Sequence, residues 1–126
     1  MSFCSKELMG AAGSAESSSR SGFSAGTAKA VFYNTTDDEW SERATAKLCA
    51  EPLALMMSPA RLSAGRFGVV GKAYVECLKD RALPIESQRA MQKHAKFDAV
   101  TQLPTDHSPF YSAPKLLAEA LVRVAS

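Results

Sequence analysis

Long apolar runs, blocks of like charge and paired cysteines are all missing from this sequence of 126 residues. No apolar stretch approaches the ~18 residues of a membrane helix, and the amino terminus meets Lys6 and Glu7 before any apolar run of about seven. Neither a membrane span nor a secretory leader is expected. The three cysteines, Cys4, Cys49 and Cys77, are odd in number, widely spaced and form no CxxC pair. That excludes a disulfide framework and a zinc ribbon and favours a reducing, cytoplasmic compartment, with no metal and no cofactor. Fifteen basic residues offset thirteen acidic ones for a net charge of +2. No electrostatic footprint for nucleic acid or an anionic membrane results.

What is present is an ordinary globular composition, 46% hydrophobic and 22% charged, in a chain whose length suits one domain. Residues 1–28 read as a flexible arm: the first 26 hold eight Ser, four Gly and four Ala without helical or strand periodicity. Order is expected to begin near Ala28 to Tyr33. Thr36-Asp37-Asp38-Glu39 reads as a capping box with Thr36 at the cap, opening a helix to about Ala50 with Trp40, Ala44, Lys47 and Leu48 on one face. Trp40 there suits packing. The adjacent Met56 and Met57 either line a cavity or fill a core.

From Lys72 the pattern changes to strand, helix, strand, helix. Ala73 to Leu78 is a short apolar run, Pro84 opens a helix to about His94, and Ala99 to Leu103 is a second strand. Pro114 opens a last helix with Leu117, Leu121 and Val124 as one stripe, widened by Leu116 and Ala120. Such an order implies two parallel strands joined by a right-handed crossover, an α/β arrangement. In such sheets the loops leaving the carboxyl ends of the strands carry the site, and here they hold Asp80 and His107. An acid and an imidazole at one edge are what a general-base relay needs: the carboxylate accepts from Nδ1–H and leaves Nε2 to take a proton. A solvated acid and a surface histidine are the alternative reading of the same spacing. His94, beside Lys93 and Lys96, reads as solvated.

The residues around this pair carry a resemblance. Lys72 to Pro84 with Gln88-Arg89 resembles the acid-bearing segment of α/β-hydrolase fold esterases, and Thr105-Asp106-His107-Ser108-Pro109-Phe110 followed by Ser112-Ala113-Pro114 resembles their histidine loop and last helix. The group is that of plant methylesterases, hydroxynitrile lyases and bacterial relatives, in which a helical cap precedes the acid strand. Phe32-Tyr33-Asn34 and the helix that follows resemble the second half of that cap. The resemblance covers roughly residues 29–126.

It implies a partial α/β-hydrolase fold: two parallel strands with a crossover and C-terminal helices over 67–126, and part of a helical cap over 29–66. It implies Asp80 as triad acid and His107 as general base, with Asp106 shaping the turn. Pro109-Phe110 would wall the site, and Val31, Phe32, Trp40, Met56, Met57 and Phe110 are candidate pocket lining. The upstream strands, oxyanion loop and nucleophile elbow of the group are not in this sequence. A literal G-x-S-x-G occurs at Gly22-Phe23-Ser24-Ala25-Gly26, but an elbow needs a buried strand before it, and Ser17 to Ser21 is not one.

The implied function is hydrolysis of carboxylic esters or lactones, with the nucleophile either unusual or supplied by a complementing chain. The same triad would also serve hydroxynitrile-lyase chemistry. The reading from a different class is a catalytically silent half-domain acting as a binding or assembly module. Because two strands leave an open sheet edge, a homo-oligomer is expected.

Overall fold

The computed structural model describes residues 20–21, 23–52, 54 and 57–125. Arg20–Ser21 (β1) pairs antiparallel with Glu51–Pro52 (β2) as a two-residue ribbon. Between them lie helices Ala25–Phe32 (α1) and Asp38–Thr45 (α2). A 3-10 turn at Phe67–Val69 leads into Ala73–Cys77 (β3), Ile85–Gln92 (α3) and Ala99–Leu103 (β4). The short Pro109–Ser112 (α4) and the longer Pro114–Ala125 (α5) follow. No helix among the described residues is long and apolar enough to cross a membrane.

β3 and β4 are parallel and in register from Ala73 opposite Ala99 to Cys77 opposite Leu103, with α3 as the crossover. The second strand has the expected bounds, and the first ends at Cys77, one residue before the expected Leu78. Their ladder is locked at the start by Asp98, whose amide donates to the Lys72 carbonyl at 2.7 Å and whose Oδ2 accepts from the Lys72 amide at 2.9 Å. Gly71 makes room for that carboxylate, since a Cβ there would stand 3.3 Å from Asp98 Oδ2. Beyond the strands the ladder continues through Leu78 N–H to Leu103 O and Lys79 N–H to Thr105 O, both at 2.9 Å. The two site loops therefore leave the sheet side by side.

Several local expectations are corrected. Most of the expected arm, including Ser17 to Ser19, lies outside the described residues, but α1 begins at Ala25, inside it. Ser24 caps that helix, its Oγ accepting from the Thr27 amide at 3.2 Å. The cap of α2 is Asp37, not Thr36: Asp37 Oδ1 accepts from the Trp40 amide at 2.9 Å, while Thr36 is turned inward. α2 ends at Thr45, five residues early, in a turn formed by Lys47 and Leu48 amides. Pro84 is the cap of α3 rather than its first residue. In α5 the buried side is Leu117, Ala120 and Val124, and Leu121 is exposed. A short helix not expected from the sequence, α4, follows the histidine loop with Pro109 at its start.

The interior is held as much by hydrogen bonds as by apolar packing. Buried Ala28, Tyr33, Ala44, Cys77, Leu103 and Ala120 are matched by buried Thr36, Ser41, Glu76, Gln88, Thr105, Asp106 and Ser108. Gln88 of α3 reaches the end of β3. Its Oε1 accepts from Cys77 N–H at 3.0 Å, and its Nε2 donates to the carbonyls of Cys77 at 2.9 Å and Leu83 at 2.8 Å. Beside it, the Glu76 carboxylate takes two contacts from Arg89, both at 3.2 Å, one from Gln92 and one from Gln102. These residues tie the crossover helix to both strands. The Arg89 guanidinium holds the Glu76 carboxyl below the ordinary range, against the opposing effect of burial and with help from the two amides.

Candidate active site

Asp80 and His107 meet. In-register strands that end together place Asp80 level with Asp106, one residue from His107. His107 Nδ1 lies 2.8 Å from Asp80 Oδ2. The other carboxylate oxygen, Oδ1, accepts from the amides of Ala82 and Leu83, both at 2.8 Å. The acid is thus oriented by its own loop, with one oxygen left for the imidazole. A carboxylate oxygen only accepts, so Nδ1 carries the proton and Nε2 is the basic atom. The Asp80 side chain is 5% exposed and that of His107 43%, which suits a fixed acid behind a reachable base.

The helices of residues 25–45 supply the surroundings. Phe32, the last residue of α1, stands 5.3 Å from the imidazole, ring centre to ring centre, and packs edge-on against Phe23 at 4.9 Å. The turn after α1 grips both loops. Asn34 Nδ2 donates to the Lys79 carbonyl at 3.1 Å, and Thr35 and Thr36 bind Asp106. Asp106 Oδ2 accepts from Thr35 N–H at 2.8 Å and Thr36 Oγ1 at 2.9 Å. Its Oδ1 accepts from Ser108 N–H at 3.0 Å and Ser112 Oγ at 2.9 Å. Burial pushes the Asp106 carboxyl up, but these four donors outweigh it and leave it below the ordinary range.

Of the expected pocket lining, Phe32 reaches His107, whereas Trp40, Phe110 and Met57 do not. Trp40 stacks on Tyr111 at 5.9 Å and lies under the Arg43 guanidinium, so it docks α2 on α4. Phe110 is exposed and touches Tyr111 rather than the imidazole. Met57 is 81% exposed. Met56 lies outside the described residues. A cleft of about 450 Å³ opens on the Asp80 side, lined by Asn34, Lys79, Asp80, Arg81 and Glu86 among others. Leu78, Pro84 and Ile85 form its apolar part. Ser24 Oγ lies 2.8 Å from Thr27 Oγ1 and caps the helix, with ordinary extended backbone. Among the described residues, the strand before Ser24 is β1, two residues long. Among the described residues no cluster of His, Cys, Asp and Glu could hold a metal ion.

Residues that the sequence reading missed are Asn34, Thr35 and Gln88. Gln88 had a signal, a polar residue at an inward helical position. Asn34 and Thr35 had none, because their partners lie 45 and 71 residues away.

No family model matches the chain. The pyrethroid hydrolase of Sphingobium wenxiniae is 44% identical over 62 residues, 48% of this chain and 22% of that protein. The putative chloroplastic methylesterase 14 of Arabidopsis thaliana is 30% identical over 98 residues, 77% of this chain and 28% of its own length. Among solved structures, polyneuridine aldehyde esterase superposes with a TM-score of 0.75 at 21% identity, over 82% of this chain and 42% of that one. A pyrethroid hydrolase from Sphingobium faniae superposes with a TM-score of 0.66 at 33% identity, over 77% and 38%. The chain therefore spans less than half the length of each of these relatives.

Proposed function

The chain carries the C-terminal part of an α/β-hydrolase fold of the esterase group, and from that premise we propose that it serves carboxylic-ester hydrolysis with Asp80 as acid and His107 as general base. The observation that carries this reading is the 2.8 Å contact between His107 Nδ1 and an Asp80 carboxylate already oriented by two amides. In this mechanism Nε2 of His107 takes the proton of a hydroxyl nucleophile as it attacks the ester carbonyl. Asp80 stabilises the imidazolium, which then protonates the leaving alcohol. Water, deprotonated by the same nitrogen, releases the acid. Small carboxylic esters or lactones are the substrate class, and the names of the relatives, pyrethroid hydrolase and methylesterase, support esters. The nucleophile and the oxyanion donors come from polypeptide that completes the fold. A cytoplasmic location is part of this proposal, supported by the odd, unpaired spacing of the cysteines.

Mass spectrometry after treatment with a fluorophosphonate probe tests it. The assembled protein is expected to be labelled at a serine, and His107→Ala to abolish labelling. Labelling that survives His107→Ala overturns the reading. A second reading, a catalytically silent binding or assembly module, is favoured by one observation: Ser24 caps a helix. Complete absence of labelling in the assembled protein supports that module instead.

A further inference from the structure

The Asp80–His107 contact joins two loops, and nothing in the sheet itself forces the imidazole to face the acid. Past Thr105 the ladder has ended, and His107 is a loop residue with 43% of its side chain in solvent. Its neighbour Asp106, by contrast, is fully buried with all four of its carboxylate contacts satisfied. Those contacts run in two directions. Oδ1 holds Ser108 and Ser112, which shapes the chain after the histidine, and Oδ2 holds Thr35 and Thr36. The Asp106 amide also donates to Thr35 Oγ1 at 3.1 Å, so the two segments clasp each other reciprocally. One residue before the clasp, Asn34 binds the carbonyl of Lys79, next to the acid. Two residues further back, Phe32 packs on the imidazole face. A single turn, residues 34–36, therefore grips the acid loop on one side and the base loop on the other.

We propose that Asp106 is a positioning residue for His107: clamped to the Thr35-Thr36 turn, it sets the imidazole against Asp80 without touching the substrate. The inference rests on the acid–base reading of Asp80 and His107 and adds to it the device that holds the pair in register. Four charge-assisted hydrogen bonds to one buried carboxylate are strong enough for this role, because each is roughly twice as strong as a neutral one. An asparagine has only one acceptor oxygen, so the backbone amide of either Thr35 or Ser108 loses its acceptor.

The experiment follows the Nδ1–H of His107 in the full chain by 15N-edited NMR of the imidazole rings, with exposed His94 as the solvent-exchanging reference. Held by Asp80, that proton exchanges slowly. Asp106→Asn is expected to speed its exchange at least tenfold, and Thr35→Val with Thr36→Val at least threefold, in protein that still folds by circular dichroism. Glu76→Gln, which weakens the fold away from both site loops, is expected to lower the melting temperature and leave the exchange rate alone. Should Asp106→Asn fail to fold, the Thr35/Thr36 double variant decides. Folded variants with the parent's exchange rate overturn the proposal and leave Asp106 a merely structural residue. Asp80→Asn serves as the separate control. If it leaves Nδ1–H as protected as in the parent, the acid–base reading has failed, and this inference with it.

Discussion

At the scale of single residues, two serine and aspartate substitutions separate the roles that the geometry assigns. Asp80→Asn keeps the shape of the site but offers an amide where His107 needs an acceptor, which favours the wrong tautomer. Hydrolysis of short-chain nitrophenyl esters by the assembled protein is expected to fall by roughly 10²–10⁴-fold. Ser24→Ala is expected to leave that rate unchanged and to cost about 1 kcal/mol of stability through the lost cap of α1. An assay in which Ser24→Ala abolishes hydrolysis and Asp80→Asn does not would invert the assignment. The two residues were visible in the sequence to different depths. Asp80 and His107 were legible because the strand pattern puts both at one end of the sheet. The local role of Ser24 depended on a helix starting at Ala25, in a stretch whose small residues show no periodicity.

At the scale of elements, α3 is held by polar groups rather than by an apolar stripe. Gln88→Ala removes three hydrogen bonds and leaves the buried Cys77 amide without an acceptor, a loss expected to be about 2–4 kcal/mol by urea denaturation. Glu76 and Asp106 give the fold a pH dependence. Both carboxyls are held below their ordinary values in the folded state. Their stabilisation is therefore complete above the unfolded carboxylate range, near pH 4, and is lost as the pH falls through the folded values. Denaturation midpoints measured in urea between pH 7 and pH 3 should stay level and then drop. Glu76→Gln should be less stable at neutral pH and should show a shallower drop. An equally steep drop in that variant would mean that other groups govern acid unfolding.

At the scale of the whole molecule, the described part has a sheet whose β3 faces β4 on one side only. Gln88 satisfies the last backbone groups of the other edge, at Cys77, and strand alternation turns the amides of Ala73 and Val75 to that same edge. Phe67, Val69, Val70, Val100, Leu121 and Val122 are exposed. Open edges and apolar surface of this kind are normally paired or covered. Purified chain at micromolar concentration is expected to be a dimer or larger by light scattering, or to bind a complementing polypeptide. A clean monomer that binds no hydrophobic dye would refute this.

The sequence alone determined the order of elements from Lys72 onward, the parallel pair, and the placing of Asp80 and His107 at one edge. It could do so because periodicity, proline positions and strand ends are local, and a crossover helix between two strands makes them parallel. It also carried the resemblance through the residues flanking that pair. What only the tertiary structure decided is which groups hold the site. Thr36 reads locally as a helix cap, yet its hydroxyl belongs to Asp106, seventy residues away, and Asp37 takes the cap instead. Trp40 and Met57 read as possible lining, yet one stacks on Tyr111 and the other faces solvent. A side chain with two possible partners goes to the one that leaves no buried group unsatisfied, and that choice is made by the packing of distant segments.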